Sequence, residues 1–197
     1  MPVPKGATLD PTRTRDAIVD SATTLLYERG LDGIGIAELC ARTGISKETL
    51  YRHFGSKDGL VQAVLEVRSD RVLAWITAAA SAAGDDPAAR LAAVFDALGT
   101  WYATPGFRGC AILNAAAQRH AAPAAPIATR HLTRYLELLT SIAEAANASQ
   151  PEALARQLLI LLEGATVVAD HLADPHAAQA ALSAAQTLLE TAADPRR

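Results

Sequence analysis

The sequence predicts an all-α protein, and three observations support this fold class. Alanine and leucine, the strongest helix formers, dominate the 197 residues. Aromatic residues, which favour strands, are scarce, with two Trp, four Tyr and three Phe. Apolar residues recur at helical spacing, as at Ile18, Ala22, Leu25 and Leu26. These features exclude an all-β fold.

Composition narrows the class of protein further. Half of the residues are apolar and 20% are charged, which predicts a packed core rather than a disordered chain. The net charge of −3 means that any nucleic-acid contact requires a local basic surface. Cys40 and Cys110 are isolated, so neither a disulfide scaffold nor a cysteine zinc site is expected. Neither a membrane span nor a secretory signal is predicted, which favours a cytoplasmic protein.

Nine helices are predicted from capping residues, glycines and prolines. Asp10-Pro11, Asp86-Pro87 and Asp174-Pro175 each combine an N-cap acceptor with a proline suited to a first helical turn. The stretch from Ser149 to Glu152 fits a capping box. The predicted helices are 11–29, 36–43, 47–54, 57–83, 88–103, 110–120, a seventh between Pro126 and 148, 151–171 and 176–192.

The most specific pattern lies in residues 30–60. Two short helices, 36–43 and 47–54, are joined by the tight turn Thr43-Gly44-Ile45-Ser46. This is a helix-turn-helix arrangement, which places the second helix in a DNA major groove.

A helical wheel divides the second of these helices into two faces. Leu50 and Phe54 share the face that packs inward. The opposite face and its flanks carry Lys47, Glu48, Thr49, Tyr51, Arg52 and His53. Side chains of these types reach base edges and phosphates. Residues 42–57 hold four basic residues and one acid, a net charge of +3, whereas residues 1–60 hold eight of each.

Residues 11–60 resemble the DNA-binding domain of TetR-family transcriptional regulators. The resemblance is closest from Gly44 to Leu60, which reads Gly-Ile-Ser-Lys-Glu-Thr-Leu-Tyr-Arg-His-Phe and, after one glycine, Ser-Lys-Asp-Gly-Leu. Tyr51, Phe54, Lys57 and Leu60 stand at the spacing of the family. The resemblance implies a flexible tail (1–10), a helix-turn-helix domain (11–56) and a ligand-binding and dimerisation domain (57–197).

The resemblance also implies residue roles. Lys47 and Thr49 would approach bases, and Tyr51 and His53 would contact phosphates. Lys57 would hold a phosphate at the positive end of the fourth helix. The predicted DNA-contacting residues are Arg42, Thr43, Ser46, Lys47, Glu48, Thr49, Tyr51, Arg52, His53 and Lys57.

One position departs from the family pattern. The second helix of the family usually opens with Thr or Ser, whereas Ile34-Gly35 stands here. A phosphate contact from Gly35 would therefore use only its backbone N–H. Lys5, Arg13 and Arg15 would supply further phosphate contacts.

The resemblance implies that residues 61–197 both dimerise and bind a ligand. They hold 10 basic and 13 acidic residues, so no DNA surface is expected there. The eighth helix is apolar nearly all round, which predicts a partner subunit beside it, the alternative being an ordinary monomeric core. The predicted interface residues are Leu158, Leu161, Leu162, Ala165, Val168, Leu182, Ala185 and Leu189. A two-fold dimer would place its recognition helices roughly 34–36 Å apart on a near-palindromic site.

Polar and aromatic groups on otherwise apolar helices are candidates for an effector pocket. The predicted pocket residues are Trp75, Trp101, Tyr102, Phe107, Cys110, Asn114 and His171. Each aromatic residue also fits an ordinary core position, and Asn114 could simply bond a neighbouring backbone group.

No catalytic, metal or cofactor site is expected. His120, His131, His171 and His176 lack the spacing of metal ligands. Nucleophile-elbow, P-loop and dinucleotide-binding motifs are missing, and Cys110 has no evident histidine partner in the sequence.

The predicted function is that of a homodimeric, sequence-specific regulator that binds double-stranded operator DNA. The resemblance implies a repressor that a small-molecule effector releases, with the fourth helix linking the two domains. The alternative is a helical ligand-binding or scaffolding dimer without specific DNA binding, and only Ile34-Gly35 favours it.

Overall fold

The computed structural model describes residues 11–118 and 122–192. Within these ranges the chain forms nine α-helices and no strand, which confirms the predicted all-α class. The helices are α1 (Pro11–Arg29), α2 (Ile36–Thr43), α3 (Lys47–Phe54), α4 (Lys57–Ala82), α5 (Pro87–Tyr102), α6 (Ala111–Gln118), α7 (Ala124–Ala145), α8 (Pro151–His171) and α9 (Ala177–Ala192). One turn of 3-10 helix, Leu31–Gly33, separates α1 from α2.

Most predicted helix ends agree with the structure to within two residues. The seventh helix differs, because α7 begins at Ala124 and takes Pro126 into its first turn. A proline is tolerated there, since the first backbone amides of a helix have no acceptor within it. The predicted end of the sixth helix, His120, lies outside the described residues.

The predicted caps have mixed outcomes. Asp86 caps α5, because its Oδ2 accepts from the amide of Ala89 at 2.9 Å. The capping box at Ser149 is wrong: Gln150 is the N-cap of α8 without a side-chain bond, and the Ser149 amide donates instead to the carbonyl of Ala192. Asp174 accepts from the amide of His176 in a turn that precedes α9. Asp10 lies outside the described residues.

The described residues fall into two compact units. The N-terminal unit takes those of 1–68 and 111–127, and the C-terminal unit takes those of 69–110 and 128–192. This grouping differs from the boundary predicted after residue 56. The first turns of α4 belong with α1, as the Arg68 guanidinium lies 5.3 Å from the centre of the Tyr27 ring.

The N-terminal unit holds α3 by packing one face of each short helix inward. Its fully buried side chains include Ile18 and Leu25 of α1, Leu39 of α2 and Leu50 of α3. Burial of a leucine side chain stabilises a fold by roughly 1.5–3 kcal/mol. These contacts therefore fix which face of α3 remains at the surface.

The C-terminal unit is built around α5, α8 and α9. Helix α9 packs against both α5 and α8. Phe95, Leu98, Leu158 and Ala185 are among the side chains that this packing buries completely or almost completely. No helix in the described ranges has the length and apolar character to span a membrane.

Candidate nucleic-acid interface

The turn between α2 and α3 has the backbone that the sequence predicts. Gly44 has φ 70° and ψ 17°, a left-handed conformation that glycine adopts without the strain of a Cβ atom. Ser46 caps α3, because its Oγ accepts from the amide of Thr49 at 3.0 Å. The cap and the glycine together set the direction in which α3 leaves the turn.

Helix α3 presents one polar face to solvent. Leu50 is fully buried, while Glu48 and Arg52 on the opposite side are exposed. Thr49 is half-buried between them, and its Oγ1 lies 3.0 Å from Ser46 Oγ and 3.5 Å from Arg52 Nη2. The face therefore offers hydroxyl, guanidinium and carboxylate groups side by side, the groups that proteins use to read base edges.

Two aromatic rings at this helix lie beside cationic groups. The Lys47 ammonium lies 5.7 Å from the centre of the Tyr51 ring, and the Arg15 guanidinium lies 5.5 Å from that of Phe54. Such cation–π contacts contribute about 0.5–1 kcal/mol at exposed sites. The Lys47 contact holds positive charge at the exposed side of α3, and the Arg15 contact places a second cation beside the half-buried Phe54 at the end of the helix.

Arg42 is already engaged by a carboxylate. Its Nε and Nη2 donate to Glu38 Oε1 at 3.1 and 2.9 Å, and Arg29 Nη1 donates to Glu38 Oε2 at 2.9 Å. The hydrogen bond from Arg42, helped by Arg29, holds the pKa of Glu38 below its usual range. Glu38, which the sequence did not single out, thus neutralises part of the basic surface.

The start of α4 contributes further polar groups to the N-terminal unit. Ser56 Oγ accepts from the amide of Gly59 at 3.0 Å, and Lys57 is the first residue of the helix. A Cβ atom on Gly59 would lie only 2.0 Å from the carbonyl oxygen of Phe54. Glycine is therefore required for the chain to pass this closely from α3 into α4.

The structure places all ten predicted DNA-contacting residues in the N-terminal unit, on α2, the turn, α3 and the start of α4. Five are exposed, and they are Arg42, Ser46, Lys47, Glu48 and Arg52. Five are half-buried, and they are Thr43, Thr49, Tyr51, His53 and Lys57. Gly35 is the N-cap of α2 and makes no side-chain bond, so this helix start lacks the hydroxyl that the Thr or Ser usual in the family would supply. Of the three basic residues expected to assist, Arg13 is exposed, Arg15 is half-buried, and Lys5 lies outside the described residues.

Six of the eight residues predicted at a dimer interface lie elsewhere, in the core of a single chain. These six are at most 6% exposed, and they are Leu158, Leu162, Ala165, Leu182, Ala185 and Leu189. Helices α5 and α9 cover that side of α8 within the same chain, so it has no surface for a partner. Only Leu161 and Val168 are half-buried. The exposed apolar side chains of α8 are instead Ile160, at 71%, and Val167, at 55%.

Part of the predicted effector set forms one aromatic group in the C-terminal unit. Trp101 meets Phe107 edge to face at 4.8 Å, and Tyr102 lies 5.0 Å from Phe107. The Tyr102 hydroxyl is 2.8 Å from Thr166 Oγ1, and burial raises the pKa of Tyr102 to about 12. Phe107 also packs against the core of the unit.

The other predicted pocket residues come from different parts of the chain: Trp75 lies on α4, Cys110 directly before α6, Asn114 on α6 and His171 at the end of α8. Trp75 is 39% exposed, and Asn114 and His171 are exposed. Cys110 is half-buried, and the expectation that it lacks a histidine partner is wrong, because its Sγ lies 3.8 Å from His131 Nε2. The two residues are 21 positions apart, a spacing that carries no motif. Among the described residues no three His, Cys, Asp or Glu side chains gather in a way that could hold a metal ion.

Comparison with known proteins agrees with this geometry. The family profile described as "Bacterial regulatory proteins, tetR family" matches residues 18–64, which contain α2 and α3. The chain is similar to the repressor ComR of Escherichia coli K12, with 40% identity over 60 residues, and to the regulator UidR, with 39% over 64 residues. These matches cover 30% and 32% of this chain but only 29% and 32% of the relatives.

Solved structures extend the similarity to more than 90% of the chain. A TetR transcriptional regulator of Streptomyces avermitilis, SAV143, shares 32% identity with a TM-score of 0.77, over 91% of this chain and 97% of that one. The TetR-family regulator SCO4454 of Streptomyces coelicolor shares 28% identity with a TM-score of 0.80, over 93% and 97%. The similarity therefore includes the C-terminal unit as well as the helix-turn-helix.

Proposed function

The chain belongs to the TetR family of bacterial regulatory proteins, and we propose that it is a transcriptional regulator that binds a specific operator in double-stranded DNA. The observation that carries the proposal is the exposed polar face of α3. Ser46 caps this helix, Leu50 anchors it in the core, and Arg52 and Glu48 project from the opposite side. A helix of this kind enters the DNA major groove.

We assign base contacts to the exposed face of α3 and phosphate contacts to its surroundings. Lys47, Thr49 and Arg52 are placed to read base edges. Lys57 stands at the N-terminus of a 26-residue helix, where the helix dipole and the unpaired backbone amides favour an anion. Tyr51 and His53 complete the phosphate contacts.

The active form is proposed to be a two-fold dimer. Ile160, Gly164 and Val167 follow one another at helical spacing on the exposed side of α8, and a Cβ atom on Gly164 would meet nothing within 4 Å. A second copy of this chain fits such a face, because two helices can approach closely at a glycine. The two recognition helices would then read half-sites about one DNA turn apart.

The role proposed for the C-terminal unit is to bind a small-molecule effector that shifts the population between two states of the dimer. The group of Trp101, Tyr102 and Phe107 offers apolar contact area with one polar hydroxyl, as small-molecule sites do. We propose that effector binding releases the operator, which makes the protein a repressor. We propose a cytoplasmic location, because operator DNA is its proposed partner, and we assign no catalytic step to it.

Selection of bound sequences from random DNA duplexes tests the proposal directly. The expected winner is a near-palindrome, and log K should fall steeply and linearly with log salt concentration. Arg52→Ala should cost about 1–3 kcal/mol on the selected site and relax specificity at one position. The matched control is Arg71→Ala, an exposed arginine of α4 in the C-terminal unit. Weak binding without sequence preference would instead support the alternative, a helical ligand-binding or scaffolding dimer without specific DNA binding. The missing hydroxyl at Gly35 is the sequence feature that favours this alternative.

The oligomeric state is tested separately by Ile160→Arg. We expect this variant to sediment as a monomer while the wild type sediments as a dimer, because a charge would be buried against the partner helix. Thr133→Arg is the control, since Thr133 is exposed on α7. A dimeric Ile160→Arg variant would exclude this face as the interface.

A further inference from the structure

Glu48 and Arg52 lie at the centre of the exposed face of α3. At about 100° of rotation per residue, each stands about 160° from Leu50 around the helix axis and about 40° from the other. Leu50 is fully buried, and the two residues opposite it are exposed. The side of α3 that points most directly away from the core of the N-terminal unit therefore carries one carboxylate and one guanidinium, a single helical turn apart.

The Glu48 carboxylate has no hydrogen-bond or ion-pair partner among the described residues. Its two cationic neighbours on α3 face other groups. The Arg52 guanidinium lies 3.5 Å from Thr49 Oγ1. The Lys47 ammonium lies beside the ring of Tyr51. The carboxylate oxygens of Glu48 are therefore open to a donor from outside the chain.

Glu38 is the other acidic residue between positions 36 and 54, and its surroundings are different. Arg42 and Arg29 both donate hydrogen bonds to Glu38, so its negative charge is compensated within the protein. The charge of Glu48 has no such compensation. Glu48 nevertheless lies on the surface that the proposed function places against a polyanion, which requires a physical reason.

A carboxylate that enters the major groove needs a hydrogen-bond donor there, because burial without one costs free energy. Among the base edges, only the N4 amino group of cytosine and the N6 amino group of adenine donate in this groove. Adenine also presents N7, an acceptor next to its amino group, which repels a side chain that can only accept. Cytosine presents its amino group alone. The chemistry of a carboxylate therefore favours cytosine over the other three bases.

We propose that Glu48 is a specificity-determining residue, which selects cytosine at one position of each operator half-site by accepting a hydrogen bond from the N4 amino group. This inference rests on the proposed function, since it requires α3 to lie in the major groove. Glu48 stands in the first turn of α3, and the N-terminal residues of a recognition helix are those that contact base edges. It adds an acceptor to the donors that Lys47 and Arg52 supply.

Two other roles would leave Glu48 equally exposed. A carboxylate in the first turn of a helix stabilises that helix through its dipole. A negative charge that faces DNA also weakens binding to every sequence, because it repels phosphates. Neither role distinguishes one base from another. The base preference of Glu48 variants is therefore the measurement that separates these roles from the selection of cytosine.

The first test compares the sequences that the full-length wild type and Glu48→Gln select from random DNA duplexes. A glutamine amide both donates and accepts, so it pairs with N6 and N7 of adenine. We expect one position of each half-site to change from cytosine to adenine while the other positions keep their bases. The control is Glu28→Gln, which removes the same charge from an exposed position of α1 and should select the wild-type operator. An unchanged operator for Glu48→Gln would overturn the proposal.

Glu48→Ala tests whether the carboxylate acts on one base or on the whole duplex. The wild type should prefer cytosine at the assigned position by about five- to 150-fold over the other bases, whereas the alanine variant should bind all four with affinities within about twofold. Because Glu48 is exposed, the circular dichroism spectrum should not change. If Glu48→Ala binds every sequence more tightly by one common factor and still prefers cytosine, the carboxylate acts only by repulsion and the proposal is wrong.

Removal of the donor from the DNA tests the contact itself. An operator with 2-pyrimidinone in place of the assigned cytosine keeps the ring but lacks the amino group. Wild-type affinity should fall by about five- to 150-fold on this duplex, and Glu48→Ala should bind both duplexes equally. Equal losses for the two proteins would show that another residue reads the amino group. A wild type that enriches no sequence contradicts the proposed function, and the cytosine assignment falls with it, whereas an operator that the Glu48 variants select unchanged contradicts the assignment alone.

Discussion

The backbone amide of Leu31 donates a 2.9 Å hydrogen bond to Oε1 of Gln118, 87 residues later in the chain. Leu31 is the first residue of the 3-10 turn that leads into α2, and its side chain is 3% exposed. The first amides of any helical turn have no acceptor within that turn. Gln118, the last residue of α6, therefore supplies the hydrogen-bond acceptor that the turn lacks. This bond joins α6 to the segment that precedes α2 and α3.

Gln118→Ala is expected to destabilise the N-terminal unit. Loss of the acceptor leaves the Leu31 amide without its protein partner, which should lower the free energy of unfolding by about 0.5–1.5 kcal/mol. Gln62→Ala is the control, because Gln62 bonds to Glu66 on the same helix and at an exposed position. Urea unfolding of both variants measures the difference, and equal values would show that the long-range bond contributes nothing.

Gly59→Ala should be destabilising although it replaces glycine by alanine inside a helix. Such a change normally stabilises a helix by about 0.5–1 kcal/mol. Here the new Cβ would lie 2.0 Å from the carbonyl oxygen of Phe54, so α3 and α4 must move apart. We expect a loss of about 1–3 kcal/mol in unfolding free energy and weaker operator binding.

Gly35→Ala is the matched comparison for Gly59→Ala. Its Cβ would meet only the Glu38 side chain, at 3.8 Å, which is an ordinary contact. Denaturant unfolding should therefore give a clearly smaller loss for Gly35→Ala. If the two alanine variants unfold at the same denaturant concentration, the close approach at Gly59 does not constrain the turn.

Local features of the sequence predicted α3 and its polar face because their causes are local. Ser46 caps the helix, and the fully buried Leu50 with the half-buried Phe54 marks its inward side within two turns. The exposed side of α8 was not predictable in the same way. A helix that is apolar nearly all round does not show which side its own chain will cover, and α5 and α9 covered the side that contains Leu158 and Leu162.

Contacts between distant residues account for what the sequence did not predict. Cys110 and His131, or Leu31 and Gln118, have no spacing in the chain that marks them as partners. Helix packing alone brings them together. The ion pair of Glu38 with Arg29 is similar, since the nine-residue separation crosses from α1 into α2.

Glu163 of α8 is expected to make stability depend on pH. Burial raises the pKa of its carboxyl group to about 7. Because this folded-state pKa lies above the unfolded value near 4.5, the protonated form stabilises the fold at low pH. That contribution is full below pH 4.5 and is lost as the pH rises through 7. Partial exposure reduces it to on the order of 1–2 kcal/mol.

Glu163→Gln removes this titration while keeping the shape of the side chain. As the pH rises from 5 to 8, the free energy of unfolding should fall for the wild type relative to that of the variant, because only the wild type ionises a buried carboxyl group in this range. Guanidinium unfolding at several pH values in this window measures the difference. Parallel pH profiles for the two proteins would show that Glu163 is solvated like an ordinary surface carboxylate.

Glu38→Gln should strengthen operator binding by releasing a cation. Glu38 holds Arg42 through two hydrogen bonds and Arg29 through a third, so part of the positive charge beside α3 is neutralised within the protein. With a neutral amide at this position, Arg42 can turn to a phosphate, and one more counterion is released on binding. The slope of log K against log salt concentration should steepen by about 0.9. Glu28→Gln, at an exposed position of α1, removes the same charge without freeing an arginine. A salt titration that gives both variants the same slope would show that Arg42 stays out of reach of the DNA even when it is released.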